Sequence, residues 1–187
     1  MHGSYLFNDN IKKKWFLPFF VFLTFTTINA QENVIKFNPA ALAFSSLEVN
    51  YERIINSTCS VEFAIAATNQ KVNFGSIECE IFGFAAELKY KLYFPSSSYA
   101  PRGWYAAPLI SYTSANGSFK NQIGDVKALG GGIVAGYQIV FGNRSCGFTL
   151  DFNFGAQYLP TKTNGDITDV DFEGILPRVG VSLGFAW

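Results

Sequence analysis

Charge is scarce in this sequence. Asp, Glu, Lys and Arg together make up 15% of its 187 residues, against about 25% in ordinary soluble domains. The two signs are equal at 14 each, so no basic surplus draws the chain to nucleic acid or to an anionic membrane surface. Histidine is nearly missing, with His2 the only one, and there are three Cys and one Met. Beyond Gln31 no stretch approaches the ~18–20 apolar residues of a membrane-spanning helix. What the chain does have is aromatic residues, 17% of the total with 20 Phe among them.

Part of that apolar content lies in a leader. Lys12-Lys13-Lys14 forms a basic start, Trp15 to Ile28 an apolar core, and Ala30 a small residue before Gln31. This is the layout of a cleavable secretory signal peptide over residues 1–30. The core is short for a spanning helix and Pro18 interrupts it. Cleavage removes three Lys and one Asp, leaving 11 basic and 13 acidic residues and a formal charge of −2. It also removes His2. Ser-His and Cys-His nucleophiles, His general bases and His-bound metals are then all excluded.

Residues 31–187 alternate apolar and polar at period 2, the mark of strands with two unlike faces. Near the C-terminus Pro177, Val179, Val181, Leu183, Phe185 and Trp187 share one face, against Arg178, Gly180, Ser182, Gly184 and Ala186. Phe148 to Tyr158 repeats the pattern, as do Phe82 to Phe94, Trp104 to Thr113 and Leu129 to Phe141. Shorter runs around Leu47 to Glu52 and Ser60 to Ile65 bring the count to seven. A first strand from Val34 to Phe44, broken in phase by Asn38-Pro39, makes eight. Long polar connections are expected at 68–80, 116–127 and 159–175, with short turns between them. Outer-membrane barrels have short periplasmic turns and long external loops, which places both termini in the periplasm. The expected fold is an all-β, eight-stranded, antiparallel up-and-down transmembrane barrel.

Alternation does not say which face is inside, and a soluble lipocalin-like binder of an apolar ligand would put the apolar face inward. Small residues on the polar faces favour the inverted arrangement, since they fit a narrow lumen. So do aromatics at the apolar strand ends: Phe94, Trp104, Phe141 and Trp187 at one rim, Phe44, Tyr112 and Tyr158 at the other. That is an aromatic girdle.

The last strand, with Val181, Leu183, Phe185 and Trp187 alternating to an aromatic end, resembles the assembly signal that the barrel-insertion machinery of bacterial outer membranes reads. Asn50-Tyr51-Glu52-Arg53, Leu88-Lys89-Tyr90-Lys91-Leu92-Tyr93, Gly103-Trp104-Tyr105 and the Gly-rich sixth strand extend the likeness. Residues 31–187 resemble the small eight-stranded outer-membrane barrels of Bacteroidetes, including their uncharacterised outer-membrane beta-barrel domains, with an architecture similar to outer membrane protein A/X-type barrels. The resemblance implies a fold and a location in outer-membrane lipid. It implies no activity.

With polar faces inward, the lumen collects Glu48, Glu52, Glu62, Glu87, Lys89, Lys91, Asp151 and Arg178. Charges in so narrow a space must pair, and Glu52, Glu87, Lys89 and Arg178 are expected to share one network that plugs the barrel. The competing reading is a narrow ion or small-solute channel, and catalysis is not expected. Cys59, Cys79 and Cys146 sit too far apart around a barrel for an intramolecular disulfide. The acidic stretch Lys162 to Asp171 lacks EF-hand ligand spacing and reads as a solvated external loop. Gly130-Gly131-Gly132 lies in a strand and is no phosphate loop. No metal or cofactor and no nucleic acid is expected, and the partner of the external loops is left open.

Overall fold

The structure is a computed structural model. It describes residues 32–74, 77–94, 99–119, 122–142, 146–165 and 173–187, with the side chains of 71–80, 118–123 and 163–172 left aside. The leader at 1–30 and the acidic stretch at 163–171 therefore lie outside the described residues or side chains.

The strands are β1 (Asn33–Phe37), β2 (Ser46–Asn56), β3 (Cys59–Phe74), β4 (Ile77–Tyr93), β5 (Gly103–Phe119), β6 (Gln122–Gly142), β7 (Gly147–Tyr158), β8 (Thr161–Gly165) and β9 (Ile175–Ala186). One helical turn, α1 (Pro39–Leu42), follows β1. All pairings are antiparallel, in the order β5-β4-β3-β2-β1-β9-β7-β6, and a β5–β6 ladder closes the ring. β8 pairs with β6 beyond the end of β7, so β7 and β8 hold one place in the wall. Leu159-Pro160 separates them, as a proline without a ladder donor would. Eight strands thus surround the lumen.

Two expectations from the sequence are corrected. The stretches 68–80 and 116–127 are not long loops: β3 runs to Phe74 and β4 starts at Ile77, while β5 runs to Phe119 and β6 starts at Gln122. Polar residues interrupt the alternation in these stretches, and that hid the strands. The first strand ends at Phe37 instead of Phe44. Asn38 caps α1 there, accepting from the N–H groups of Ala40 and Ala41 at 3.0 and 3.3 Å, and Pro39 at the first helical position suits that turn.

The apolar faces point outward. Phe63, Phe84, Leu88, Trp104, Ile110, Ile133, Phe152 and Phe185 are all exposed, in a belt around the ring. The girdle residues Phe94, Trp104, Phe141, Tyr112 and Tyr158 belong to this belt. Trp104 tilts against Tyr137, its register partner, with ring centroids 5.0 Å apart. From Phe148 to Tyr158 the wall rises by ten residue steps. At ~3.4 Å per step and a tilt near 40° that is about 26 Å, close to the ~25 Å apolar band of membrane barrels. A soluble barrel with an apolar cavity is ruled out by the same faces, because the inward side chains include Lys36, Glu52, Glu62, Lys91 and Asp151.

Both ends of the ring meet at one rim, where Asn33 and Trp187 exchange backbone hydrogen bonds of 3.0 and 2.9 Å. Val181, Leu183 and Phe185 face outward on β9, Leu183 and Phe185 between β7 and β1 and Val181 beside β7. Just inside this rim Val34, Val140 and Ala186 form a buried apolar cluster against Ile54.

Candidate functional site

The charged residues of the lumen converge because they occupy inward positions at neighbouring heights. Glu52 on β2 stands directly opposite Glu62 on β3, and Glu62 opposite Lys89 on β4. Two adjacent glutamates on one face repel each other, so this register needs cations between them. Lys36 and Lys91 supply these.

The two ammonium groups share four oxygens. Lys36 Nζ lies 2.8 Å from Glu52 Oε2, 2.8 Å from Asp151 Oδ2 and 3.1 Å from Gln138 Oε1, and also contacts Glu62 Oε2. Lys91 Nζ meets the same atoms at 3.2, 2.7 and 3.0 Å, with Glu62 Oε2 at 2.8 Å. The second oxygen of each carboxylate takes a different donor. Glu52 Oε1 accepts from Ser60 and Tyr93, both at 2.6 Å, Asp151 Oδ1 from Tyr105 at 2.7 Å, and Glu62 Oε1 from Lys89 at 2.9 Å. Lys91 Nζ also sits 4.4 Å from the centre of the Tyr105 ring, a favourable place for a cation.

The chain of pairs continues outward. Lys89 Nζ is 2.9 Å from Glu87 Oε1, and Glu87 Oε2 pairs with Arg178 Nη1. Arg178 also donates to Gln157 Oε1 at 2.7 Å, and Gln157 to Ser111. Four carboxylates (Glu52, Glu62, Glu87, Asp151) thus meet four cations (Lys36, Lys89, Lys91, Arg178) in one connected, charge-neutral set. Charges withdrawn this far from water persist only when paired and hydrogen-bonded. Asn50 Oδ1, Gln138 Nε2 and Thr149 Oγ1 are buried with no hydrogen-bond partner among the described residues.

Glu52, Glu62, Glu87, Lys89, Lys91, Asp151 and Arg178 are brought together in this way. Glu48 is not. It lies nearer the far rim and accepts from Asn38 Nδ2 at 3.0 Å. Lys36, Tyr93, Tyr105 and Gln138 complete the set and were not singled out in the sequence. The alternation Val34/Lys36 against Ile35/Phe37 was the available signal for Lys36, and five residues is a short run in which to see it.

Glu52, Glu62 and Asp151 place ligand oxygens within 4.8 Å of one another, a spacing suited to a metal ion. The ammonium groups of Lys36 and Lys91 already stand among those oxygens and supply the positive charge. Beneath and beside the network, Tyr93, Tyr105, Ala107, Leu109 and Val134 pack into a buried cluster. The thiols of Cys59 and Cys146 are free, one buried and one exposed.

On the far-rim side of the network the lumen opens into a vestibule of about 250 Å³. Its floor is Glu87, Arg178, Gln157 and Ser111, its walls include Ala64, Ala66 and Ala85, and Glu48 stands at one edge. Residues 16–165 match the profile of a family described as "Protein of unknown function (DUF3575)". The chain belongs to that family. Seven of this DUF3575 chain's eight network charges fall within the matched segment, with Arg178 beyond it. No curated protein matches the chain. Among solved structures it is similar to the crystal structure of Acinetobacter baumannii CarO, with 11% identity and a TM-score of 0.49, over 87% of this chain and 100% of that one.

Proposed function

We propose that this DUF3575 chain is an integral outer-membrane barrel with a plugged interior, acting structurally or through its external loops, without catalysis. One observation carries the reading: the barrel is inverted, with paired charges inside and an aromatic-edged apolar belt of about 26 Å outside. Lipid satisfies such a belt, and ring closure pairs most backbone groups. Both termini lie on the periplasmic side, because the connection at Asn56–Cys59 near their rim is short while the β3–β4 and β5–β6 hairpins extend the opposite way. The partners are outer-membrane lipid and, during assembly, the barrel-insertion machinery. Bacteroidetes origin is part of this reading, supported by the strand motifs in which the sequence resembles small barrels of that group.

Eight strands enclose an interior just wide enough for side chains to fill, and the Lys36–Lys91 network fills it. This supports a plug over a porin-like pore. The test is gel mobility of the membrane-fraction protein with and without boiling, paired with planar-bilayer recording. A fast-migrating unboiled band and a silent bilayer are expected. A soluble periplasmic protein without a heat shift would overturn the membrane reading. Steady conductance that changes in Lys89→Met would replace the plug with a channel.

A further inference from the structure

The wall of the barrel is not uniform above Phe37. β1 pairs with β9 only from Val34–Ala186 to Phe37–Leu183. The next eight residues of β9, Ile175 to Ser182, pair with β7 alone among the described residues. On the other side of the break, Ser46 to Glu48 of β2 pair with β3 alone, apart from one bond from Asn38 N–H to the Glu48 carbonyl at 3.2 Å. α1 lies between these two edges, touching both β2 and β9. One turn of Pro-Ala-Ala-Leu thus replaces strand at a height where the outer face is still apolar. Val179 is 83% exposed and Ile175 75%, higher than other residues of the belt, because among the described residues a strand flanks them on the β7 side alone. Pro177 stands on this same edge, where its missing N–H removes one donor that would otherwise face lipid.

The vestibule is bounded by Glu48 from one edge of the break and Arg178 from the other. Its charges are unequal. Glu87 has Arg178 and Lys89 as counter-ions, whereas Glu48 has the neutral amide of Asn38. Asn38 uses its other side-chain atom to cap α1. A single amide therefore links the one vestibule carboxylate that has no counter-ion among the described residues to the helix that fills the break.

From this juxtaposition we infer that the break is a side entrance, through which a single-chain amphiphile with a cationic head reaches the vestibule from the surrounding outer leaflet. The head occupies the 250 Å³ space with Glu48 as its counter-ion. The chain leaves sideways between α1 and the apolar edge of β9. A cation at Glu48 competes with Asn38, frees its amide and loosens the cap on α1, so binding and opening of the break favour each other. The inference rests on the membrane reading above, which supplies the leaflet.

The test uses the full barrel in phosphatidylcholine nanodiscs, titrated calorimetrically with octylammonium against an empty-nanodisc blank. One saturable site per barrel is expected. It should weaken at least tenfold in Glu48→Gln, which keeps the Asn38 bond but loses the charge, and in Ala41→Trp, which fills the break. Octanoate, with the same chain and opposite charge, and methylammonium, with the head alone, should each bind at least tenfold more weakly than octylammonium. Equal binding of octylammonium by the parent and Glu48→Gln would overturn the assignment. Equal affinity for methylammonium would overturn the side entrance, leaving a vestibule filled from above. The boiling-dependent gel shift of every variant keeps the two ideas apart: loss of the shift in the parent chain overturns the membrane reading, while binding results in heat-shifting variants bear on the site alone.

Discussion

The aliphatic stem of Lys36 lies across Gly184, its register partner on β9. A Cβ at Gly184 would stand 2.5 Å from Lys36 Cγ. The absence of a side chain there lets the lysine fold inward to the oxygens of Glu52, Glu62 and Asp151. Tyr105 uses Gly136 in the same way: the two are register partners, and a Cβ at Gly136 would collide with the phenol ring and stand 2.6 Å from the Phe152 carbonyl oxygen. Large inward groups and glycines are paired across the ladder, which is how eight strands accommodate so much side chain.

Gly136→Val should displace Tyr105 and leave Asp151 Oδ1 without its 2.7 Å donor. Overpacking of this kind costs about 1–3 kcal/mol. Urea unfolding of the barrel in vesicles measures it. Gly131→Ala is the control, since its Cβ would meet only the Leu109 carbonyl oxygen at an ordinary 3.6 Å, and it should unfold like the parent.

Lys36→Met removes one of the two ammonium groups that hold three carboxylates. Breaking a buried pair in this way costs about 3–5 kcal/mol. Adding Glu62→Gln removes one stranded charge and should recover part of that loss. A double-mutant cycle reads the coupling directly, and additive losses would show that the two groups do not interact.

Salt should matter little to the plug. The side chains of Lys36, Lys91 and Glu52 are wholly screened from solvent, and buried pairs feel mobile ions far less than exposed ones. The temperature at which the compact gel band is lost should stay nearly constant between about 0.1 and 1 M NaCl. A steep fall would mean that ions reach the network.

Deleting Trp187 takes away the aromatic residue that follows β9 and the two backbone bonds to Asn33. If the last strand serves assembly, the shortened chain should accumulate in the periplasm without a heat-shifted band, yet refold when added to detergent. Normal insertion in cells would remove the assembly role from this residue.

Most of the inward and outward assignments were legible in the sequence because a strand states its two faces locally, residue by residue. Glu52, Glu62, Lys89, Lys91, Asp151 and Arg178 could be placed inside on that basis alone. Lys36 was missed because β1 is five residues long and Asn38-Pro39 ends its phase. The extended hairpins were missed because polar residues interrupt the alternation over 68–80 and 116–127.

The amino-acid sequence by itself determined a barrel with apolar residues outside, charges inside and aromatic rims, since period-2 alternation is a property of neighbouring residues. Only the tertiary structure decided which charges meet. Two lysines from β1 and β4 share the oxygens of β2, β3, β6 and β7, and that depends on the register in which the ring closes. It also decided that Glu48 stands apart and that α1 interrupts the wall beside it. Ring closure couples residues more than a hundred positions apart, and no local pattern carries that information.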